Sequence, residues 1–517
     1  MIASLMRPEA YGHAVDEIKL LETHISWVLL TGRFAYKLKK PVNLGFVDFS
    51  TLDRRRWFCE EELRLNRRLA ADLYLGVSAV HGPAGHASFV GDGSISDWAV
   101  RMSQFPQEAL LAEALAAGRV DTRHWIELAQ TIAQFQASAA VAGDSVAGTE
   151  GFGTAVAVRQ PAQANLDVLE RCPAAQAAWP ALREWTAATG EALSAEFERR
   201  RRDGRVREGH GDLHLGNMVL LDDGITVFDC LEFNPGLRWI DVISELAFLV
   251  MDLAEHGRAL DGARLLNHWL DRTGDYTGLV MWRWYVVYRA LVRAKVSALR
   301  LTQAGATAKE AAAGQSAVHA YLSLARTTIE APTGQLVITH GVSGSGKSHL
   351  ARHLCHRLGW IHLRSDAERK RLFGAWGIGG RPSSTKTSQA TATDMYRPEV
   401  TDQIYEEVLP AQALAVLRAG FSIIVDATSL KRHHRQAMAA VAQRCGARFR
   451  ILDCRVDETR ARQRIETRRL AGLDPSDATA DVLAHQWTTV DPLDPDERAA
   501  ALVVEPDANA DSIAAQL

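Results

Sequence analysis

The sequence lacks the features that mark membrane, disulfide-bonded or nucleic-acid-binding chains. Its 517 residues hold six cysteines (Cys59, Cys172, Cys230, Cys355, Cys445 and Cys454), none spaced as a CxxC pair, which excludes a zinc ribbon and argues against a disulfide scaffold. The most apolar stretches, 240–253 and 279–301, are broken by Asp241, Glu245, Asp252, Arg283, Arg289 and Arg293, so neither reads as a bilayer-spanning helix. Neither sign of charge dominates. With 59 basic and 62 acidic residues the formal net charge is −3, which leaves no chain-wide positive field for nucleic acid or anionic lipid. Residues 1–20 carry charges throughout and have no apolar centre, so they do not read as a signal peptide, and a cytoplasmic location is expected.

What is present is a globular composition, 47% hydrophobic and 23% charged, in a chain too long for one core. The expected fold class is mixed, α/β and α+β, in two domains. Residues 1–106 read as strands around one helix: 25–31 and 34–39 form a hairpin about Gly32-Arg33, a helical pattern covers 52–71, and 75–81 and 98–102 are further strands. Residues 107–328 read as mainly helical, interrupted by turns and one short strand, 225–228, between Glu208 and Asp229. The segment 329–334 has linker composition. From 335 to 517 strands (335–340, 421–427, 448–455, 501–505) alternate with helices (348–358, 432–444), the pattern of a parallel sheet covered by helices.

The sharpest motif lies in this last part. Gly341-Val342-Ser343-Gly344-Ser345-Gly346-Lys347-Ser348 matches G-x-x-x-x-G-K-[ST] throughout, with a strand before it and a helix after. Glycines at 341, 344 and 346 let the backbone curl so that its N–H groups, those of Ser343 and Ser345 included, point at phosphate oxygens. Lys347 then reaches the outer phosphates, and the Ser348 hydroxyl takes Mg2+. Lysine is scarce here, ten in the whole chain, which makes a chance match improbable. Asp426 ends an apolar strand, where a second magnesium-directed carboxylate is expected, or an ordinary strand-ending acid. Asp366 follows Leu363-Arg364-Ser365 and suits a proton acceptor for a substrate hydroxyl, or a helix N-cap. Arg369 suits an anionic substrate. Among the arginines at 460–469, Arg464 or Arg468 suits neutralising charge on a transferring phosphoryl group, or the row is a solvated face. This part resembles the small P-loop kinases of metabolites, such as gluconate kinases, and the related zeta-toxin and polynucleotide-kinase types.

The amino-terminal part carries a second constellation. His210-Gly211-Asp212-Leu213-His214-Leu215-Gly216-Asn217 is followed by Phe228-Asp229-Cys230. An aspartate can accept a hydroxyl proton, an asparagine five residues on can ligate Mg2+, and a downstream aspartate can ligate it from the other side. Gly211 and Gly216 argue against a helical zinc pair of His210 and His214, which read instead as orienting the loop. The string resembles aminoglycoside and choline phosphotransferases and their fructosamine and homoserine kinase relatives. That resemblance implies a bilobal, protein-kinase-like fold and an upstream lysine that holds the α and β phosphates. Ala35-Tyr36-Lys37 supplies it, with Lys39 on the same strand face as the alternative. The partner carboxylate comes from Glu60-Glu61-Glu62, with Glu62 favoured and the others expected on a solvated turn. The segment 102–106 is placed as the hinge that meets adenine. Asp241 reads as a support of the catalytic loop or as an N-cap. Tyr288, Arg289 and Arg293 line an acceptor pocket or, better, serve the core. No G-x-G-x-x-G precedes Lys37; the corresponding turn is 22–26.

These features favour an ATP- and magnesium-dependent phosphotransferase with two kinase-type sites, acting on small hydroxylated metabolites of sugar or amino-alcohol type. Two other readings stay open. One half binds nucleotide as a regulatory module, or the carboxyl-terminal part acts as a polynucleotide kinase, against which the near-neutral charge weighs.

Overall fold

A computed structural model describes residues 1–45, 47–143, 147–172, 179–222, 224–301, 308–377, 395, 397–471 and 479–517, with the side chains of 468–471 outside the description. The chain packs as two compact units. Met1–Glu127, Ser138–Val158 and Phe197–Leu249 make the first; Leu128–Ala137, Arg159–Glu196 and Val250–Leu517 make the second. The second unit runs through 329–334, so helices before that segment and the sheet after it share one body.

In the first unit, β1 (Lys19–Glu22), β2 (Ser26–Leu30), β3 (Phe34–Lys39), β4 (Tyr74–His81) and β5 (Ile95–Ser103) form an antiparallel sheet in the order β1-β2-β3-β5-β4. The hairpin at 25–39 forms as expected, with Lys37 opposite Val28 on one side and Val100 on the other. Strand alternation divides β3 by face. Tyr36 and Leu38 join Leu29, Val80 and Ala99 in one core, and Lys37 and Lys39 point to the other side. There the helix Leu52–Asn66 packs Cys59 against Tyr74 and Val100. Thr51 caps this helix by accepting from the Arg54 amide. It stops short of residue 71 because the chain turns at Arg67, whose guanidinium binds the Tyr74 carbonyl at 2.9 Å.

The stretch expected to hold one strand holds two short ribbons. β6 (Val206–Glu208) pairs with β9 (Trp239–Asp241), and β7 (Met218–Leu221) pairs with β8 (Gly224–Val227). The β7–β8 ribbon carries the 210–229 constellation at its open end.

In the second unit, helices Ala259–Thr273, Trp282–Leu301 and Ala308–Glu330 precede a parallel sheet. Its strands are β10 (Leu336–His340), β11 (Ile361–Arg364), β12 (Ile423–Asp426), β13 (Phe449–Cys454) and β14 (Ala501–Val504), in the order β11-β12-β10-β13-β14. β10 and β12 are buried at every residue, as strands covered on both faces must be. The chain leaves β10 toward β11 on one side and later returns to β13 on the other. β10 is therefore the point where strand order reverses, and open α/β sheets bind ligands at the carboxyl end of such a strand. Among the described residues, no helix is long and apolar enough to cross a membrane.

The loop after β12 is held by Arg435, 1% exposed. Its guanidinium pairs with both Glu497 oxygens at 2.8 Å and donates to the Ser429 and Leu430 carbonyls. Ser429 has φ +45°, a conformation costly to a non-glycine residue unless its surroundings enforce it. Arg435→Ala would leave the Ser429 and Leu430 carbonyls and a part-buried carboxylate without their donor, and should cost about 1–3 kcal/mol, read as a lower urea midpoint for the second unit.

Candidate active sites

The first site is built around one buried carboxylate. Glu62, on the helix Leu52–Asn66, is fully buried. It meets Lys37 Nζ at 2.8 Å through one oxygen and Lys39 Nζ at 2.7 Å through the other. Lys37 continues to Asp229 Oδ1 at 2.5 Å, and Lys39 is shared with Glu232. Of the two lysines weighed from sequence, Lys37 therefore faces the 229 carboxylate, and Lys39 is sealed inside with no exposed surface. Burial disfavours both ammonium groups, but the surrounding carboxylates outweigh it and hold both lysines charged. Burial also pushes Glu62 up, yet the two lysines overrule it and hold its carboxyl at about 2. Glu232 is raised by burial despite Lys39, so it is the carboxyl of the pair that protonates first.

Asp229 reaches Lys37 through an unusual backbone. Its φ is +61°, a left-handed conformation rare outside glycine. The Tyr74 hydroxyl accepts from its amide at 3.2 Å, and Asn66 Oδ1 accepts from the Cys230 amide at 2.8 Å. Asn217 sits at the same end of the β7–β8 ribbon, because its carbonyl accepts from the Phe228 amide at 3.0 Å. Asn217 Nδ2 donates to the Asp212 carbonyl at 2.9 Å and to Asp212 Oδ2 at 3.1 Å, which leaves the amide oxygen as the cation donor. Carboxylates and an amide oxygen are the hard donors that magnesium takes, so this set fits the ion.

Both histidines serve the loop. The Asp212 amide donates to His210 Nδ1 at 3.3 Å, so Nε2 carries the proton and donates to the Phe228 carbonyl at 2.9 Å. Burial lowers the His210 pKa and keeps the ring neutral. The Gly216 amide donates to His214 Nδ1, which aims Nε2 at Asp212 Oδ2, 3.4 Å away. Asp241 is not the support of this loop. It pairs with Arg200 at 2.6 and 2.8 Å and caps the helix Val242–Glu255 through the Ile243 amide. The support is Glu245, which accepts from the His210 and Gly211 amides. Glu61 is not solvated either: it pairs with Arg64 at 2.7 Å and with Arg238 at 2.8 Å.

In the second unit the loop 341–348 curls at the end of β10. Gly341, Gly344 and Gly346 have φ +136°, +83° and +94°. A Cβ on Gly344 would sit 2.5 Å from the Ala461 carbonyl oxygen, so the cradle admits glycine alone there. The Ser343 amide donates to Gln486 Oε1 at 2.7 Å, an oxygen acceptor where a phosphate oxygen fits. Lys347 Nζ lies inside the loop, donating to the Val342 carbonyl at 2.7 Å and reaching Ser345 Oγ at 3.3 Å. Ser348 Oγ donates to Asp426 Oδ1 at 3.1 Å, a hydroxyl and carboxylate pair that suits magnesium. Burial raises the Asp426 carboxyl, but His362 and Ser348 outweigh it and bring it below the ordinary value.

A cavity of about 860 Å³ opens on this loop, lined among others by Lys347, Ser348, Asp366, Arg369, Asp426 and Arg464. Asp366 is the second residue of the helix Ser365–Leu372, whose N-cap position is Arg364, so the N-cap alternative fails. Arg369 is turned inward, donating to the Met395 carbonyl at 2.8 Å and Thr401 Oγ1 at 3.2 Å. Arg464 lies over the loop, with Nη1 3.4 Å from the Gly344 carbonyl; the side chain of Arg468 lies outside the described residues. Arg293 and Tyr288 serve the core: Arg293 binds the Tyr321 hydroxyl, which donates to Asp252, and Tyr288 stacks on Trp284.

A family model described as the phosphotransferase enzyme family matches residues 53–281, and one described as an AAA domain matches 336–493. The uncharacterized protein Rv2004c of Mycobacterium tuberculosis (strain ATCC 25618 / H37Rv) is 32% identical over 415 residues, covering 80% of this chain and 78% of that protein. The uncharacterized protein Mb2027c of Mycobacterium bovis matches to the same extent. The chain belongs to their family and joins a phosphotransferase segment to an AAA segment. Its larger matched segment is of the phosphotransferase kind. Among solved structures, a choline/ethanolamine kinase family protein from Mesorhizobium loti aligns over 63% of this chain and 97% of its own, at 10% identity and a TM-score of 0.37. A gluconokinase from Sinorhizobium meliloti 1021 aligns over 36% and 90%, at 18% identity and a TM-score of 0.23.

Sequence reading missed Glu232 and Glu245 in the phosphotransferase segment, and Gln486 and His362 in the AAA segment. Each is a lone polar residue with no spacing signal. Because Glu62 titrates at about 2 when folded and 4.5 ordinarily, the stability it contributes is complete above about pH 4.5 and is lost as pH falls toward 2. Glu62→Gln should flatten that dependence in urea titrations of the first unit and, by exposing two buried ammonium groups to each other, cost about 3–5 kcal/mol. An unchanged slope would contradict the ion-pair cluster.

Proposed function

We propose that the chain carries two kinase-type active sites, each moving the γ-phosphate of ATP to a hydroxyl of a small cytoplasmic metabolite of sugar or amino-alcohol type. The observation that carries this reading is the convergence of Lys37, Glu62 and Asp229 from a strand, a helix and a loop. A phosphotransferase segment kept only for shape would have no need to bury that much charge.

In the phosphotransferase segment, Lys37 holds the α and β phosphates and Glu62 fixes its ammonium. Asp212, oriented by Asn217 and His214, accepts the proton of the acceptor hydroxyl. Asn217 and Asp229 hold the metal. In the AAA segment, the amides of 343–348 and Lys347 hold the phosphates, and Ser348 with Asp426 holds the metal. Asp366 accepts the acceptor proton, and Arg464 neutralises charge on the transferring group. In both sites magnesium, when bound, offsets the charge on the phosphate oxygens.

One observation favours a second reading, in which the phosphotransferase segment binds ATP without turning it over. The turn between β1 and β2 has no glycine and is closed by Thr23 Oγ1, which accepts from the Ser26 amide at 2.9 Å. Asp212→Ala and Lys347→Ala, made separately and assayed for ATP consumption with a panel of sugars and amino alcohols, decide between them. Two sites predict that each change removes turnover of one acceptor class by about 10²–10⁴-fold and spares the other. Equal loss of every activity from either change would contradict two independent sites.

A further inference from the structure

His362 lies on β11, the edge strand of the parallel sheet, and its three polar contacts run in two directions. Its side chain reaches inward, with Nε2 3.2 Å from Asp426 Oδ2. The other carboxylate oxygen accepts from Ser348 Oγ at 3.1 Å, and Ser365 Oγ donates to the Asp426 backbone carbonyl at 3.2 Å. The Asp426 carboxylate is thus held at both oxygens, one by the P-loop serine and one by the histidine. Facing a carboxylate oxygen, Nε2 carries the proton and donates.

The backbone of His362 reaches outward. Its amide donates to Asn267 Oδ1 at 2.7 Å, and its carbonyl accepts from the Tyr276 hydroxyl at 3.1 Å. Asn267 Nδ2 also donates to the Trp360 carbonyl at 2.8 Å. An edge strand presents unpaired amides and carbonyls. Here one asparagine amide takes a carbonyl and an amide two residues apart, as a neighbouring strand would. Asn267 and Tyr276 belong to the phosphotransferase segment and His362 to the AAA segment, yet all lie in one compact unit. Asn267 is 8% and Tyr276 1% exposed, so these bonds are shielded from water.

We infer that His362 is a positioning residue for the magnesium-directed carboxylate of the AAA segment, and that Asn267 and Tyr276 set its place. The P-loop site is therefore completed by residues from the other segment. The inference rests on Asp426 serving the magnesium nucleotide in that site. Partners that orient a metal-binding carboxylate commonly change metal affinity by about 10–100-fold when removed.

The test is fluorescent ATP-analogue binding to the full chain, titrated with Mg2+, in an Asp229→Ala background that removes one of the two proposed magnesium ligands of the other site. His362→Phe should raise the Mg2+ concentration needed for tight binding by about 10–100-fold, with magnesium-free nucleotide binding and the circular-dichroism spectrum unchanged. His362→Gln, which keeps a donor, should recover part of that loss. Asn267→Ala should shift the same requirement in the same direction, and less than additively when combined with His362→Phe. An unchanged Mg2+ requirement in His362→Phe would overturn the positioning role while leaving the site intact, and an unchanged requirement in Asn267→Ala alone would overturn the link between segments. If Asp426→Asn also leaves magnesium dependence untouched, the reading of the site fails and the inference falls with it.

Discussion

A buried ammonium group is tolerated only where carboxylates meet it, and that constraint organises the first unit. Lys37 and Lys39 alternate with Tyr36 and Leu38 along β3, so a strand that buries its aromatic face necessarily turns two cations toward the helix Leu52–Asn66. Glu62 answers both. Asp229 and Glu232 complete the balance, and the left-handed conformation of Asp229 is held where its carboxylate meets Lys37. Strand, helix and loop are thereby tied to one charge cluster, which is also where phosphates and a metal would be bound.

The second unit solves a related problem with backbone. Its anion cradle uses amides at the end of a fully buried strand, and the glycines are fixed by approach: side chains at 341 and 344 would strike the Cys454 and Ala461 carbonyls. Charged side chains surround the cradle, Lys347, Asp366, Asp426 and Arg464 among them, and Asp426 is held at both oxygens. Under the proposed two-site reading, the segments reach the same chemistry by different routes, one through paired side chains and one through oriented dipoles.

Much of this was legible in the sequence, and the reasons are specific. The P-loop is local: its residues are contiguous and their roles follow from backbone geometry. Lys37 was readable because strand periodicity limited the choice to two lysines. Glu62 was readable because helical spacing put it on the face shared with Leu65. β1 escaped because all four of its residues are exposed, so no apolar alternation marks it. β6 and β9 escaped because three-residue strands leave no period to detect. Glu245 and His362 escaped because they act through contacts distant in sequence, 35 residues from His210 and 64 from Asp426. Asp241 was open between a loop support and an N-cap, and it takes the second role, with Arg200 holding its carboxylate.

The claim on which the rest depends is that both segments hold nucleotide independently. Calorimetric titration of the full chain with a non-hydrolysable ATP analogue and Mg2+ tests it most directly. The proposed two-site reading predicts two molecules bound per chain, falling to one when Lys347 is replaced by alanine and to the other one when Lys37 is replaced by methionine. A stoichiometry of one in the unaltered chain would contradict it.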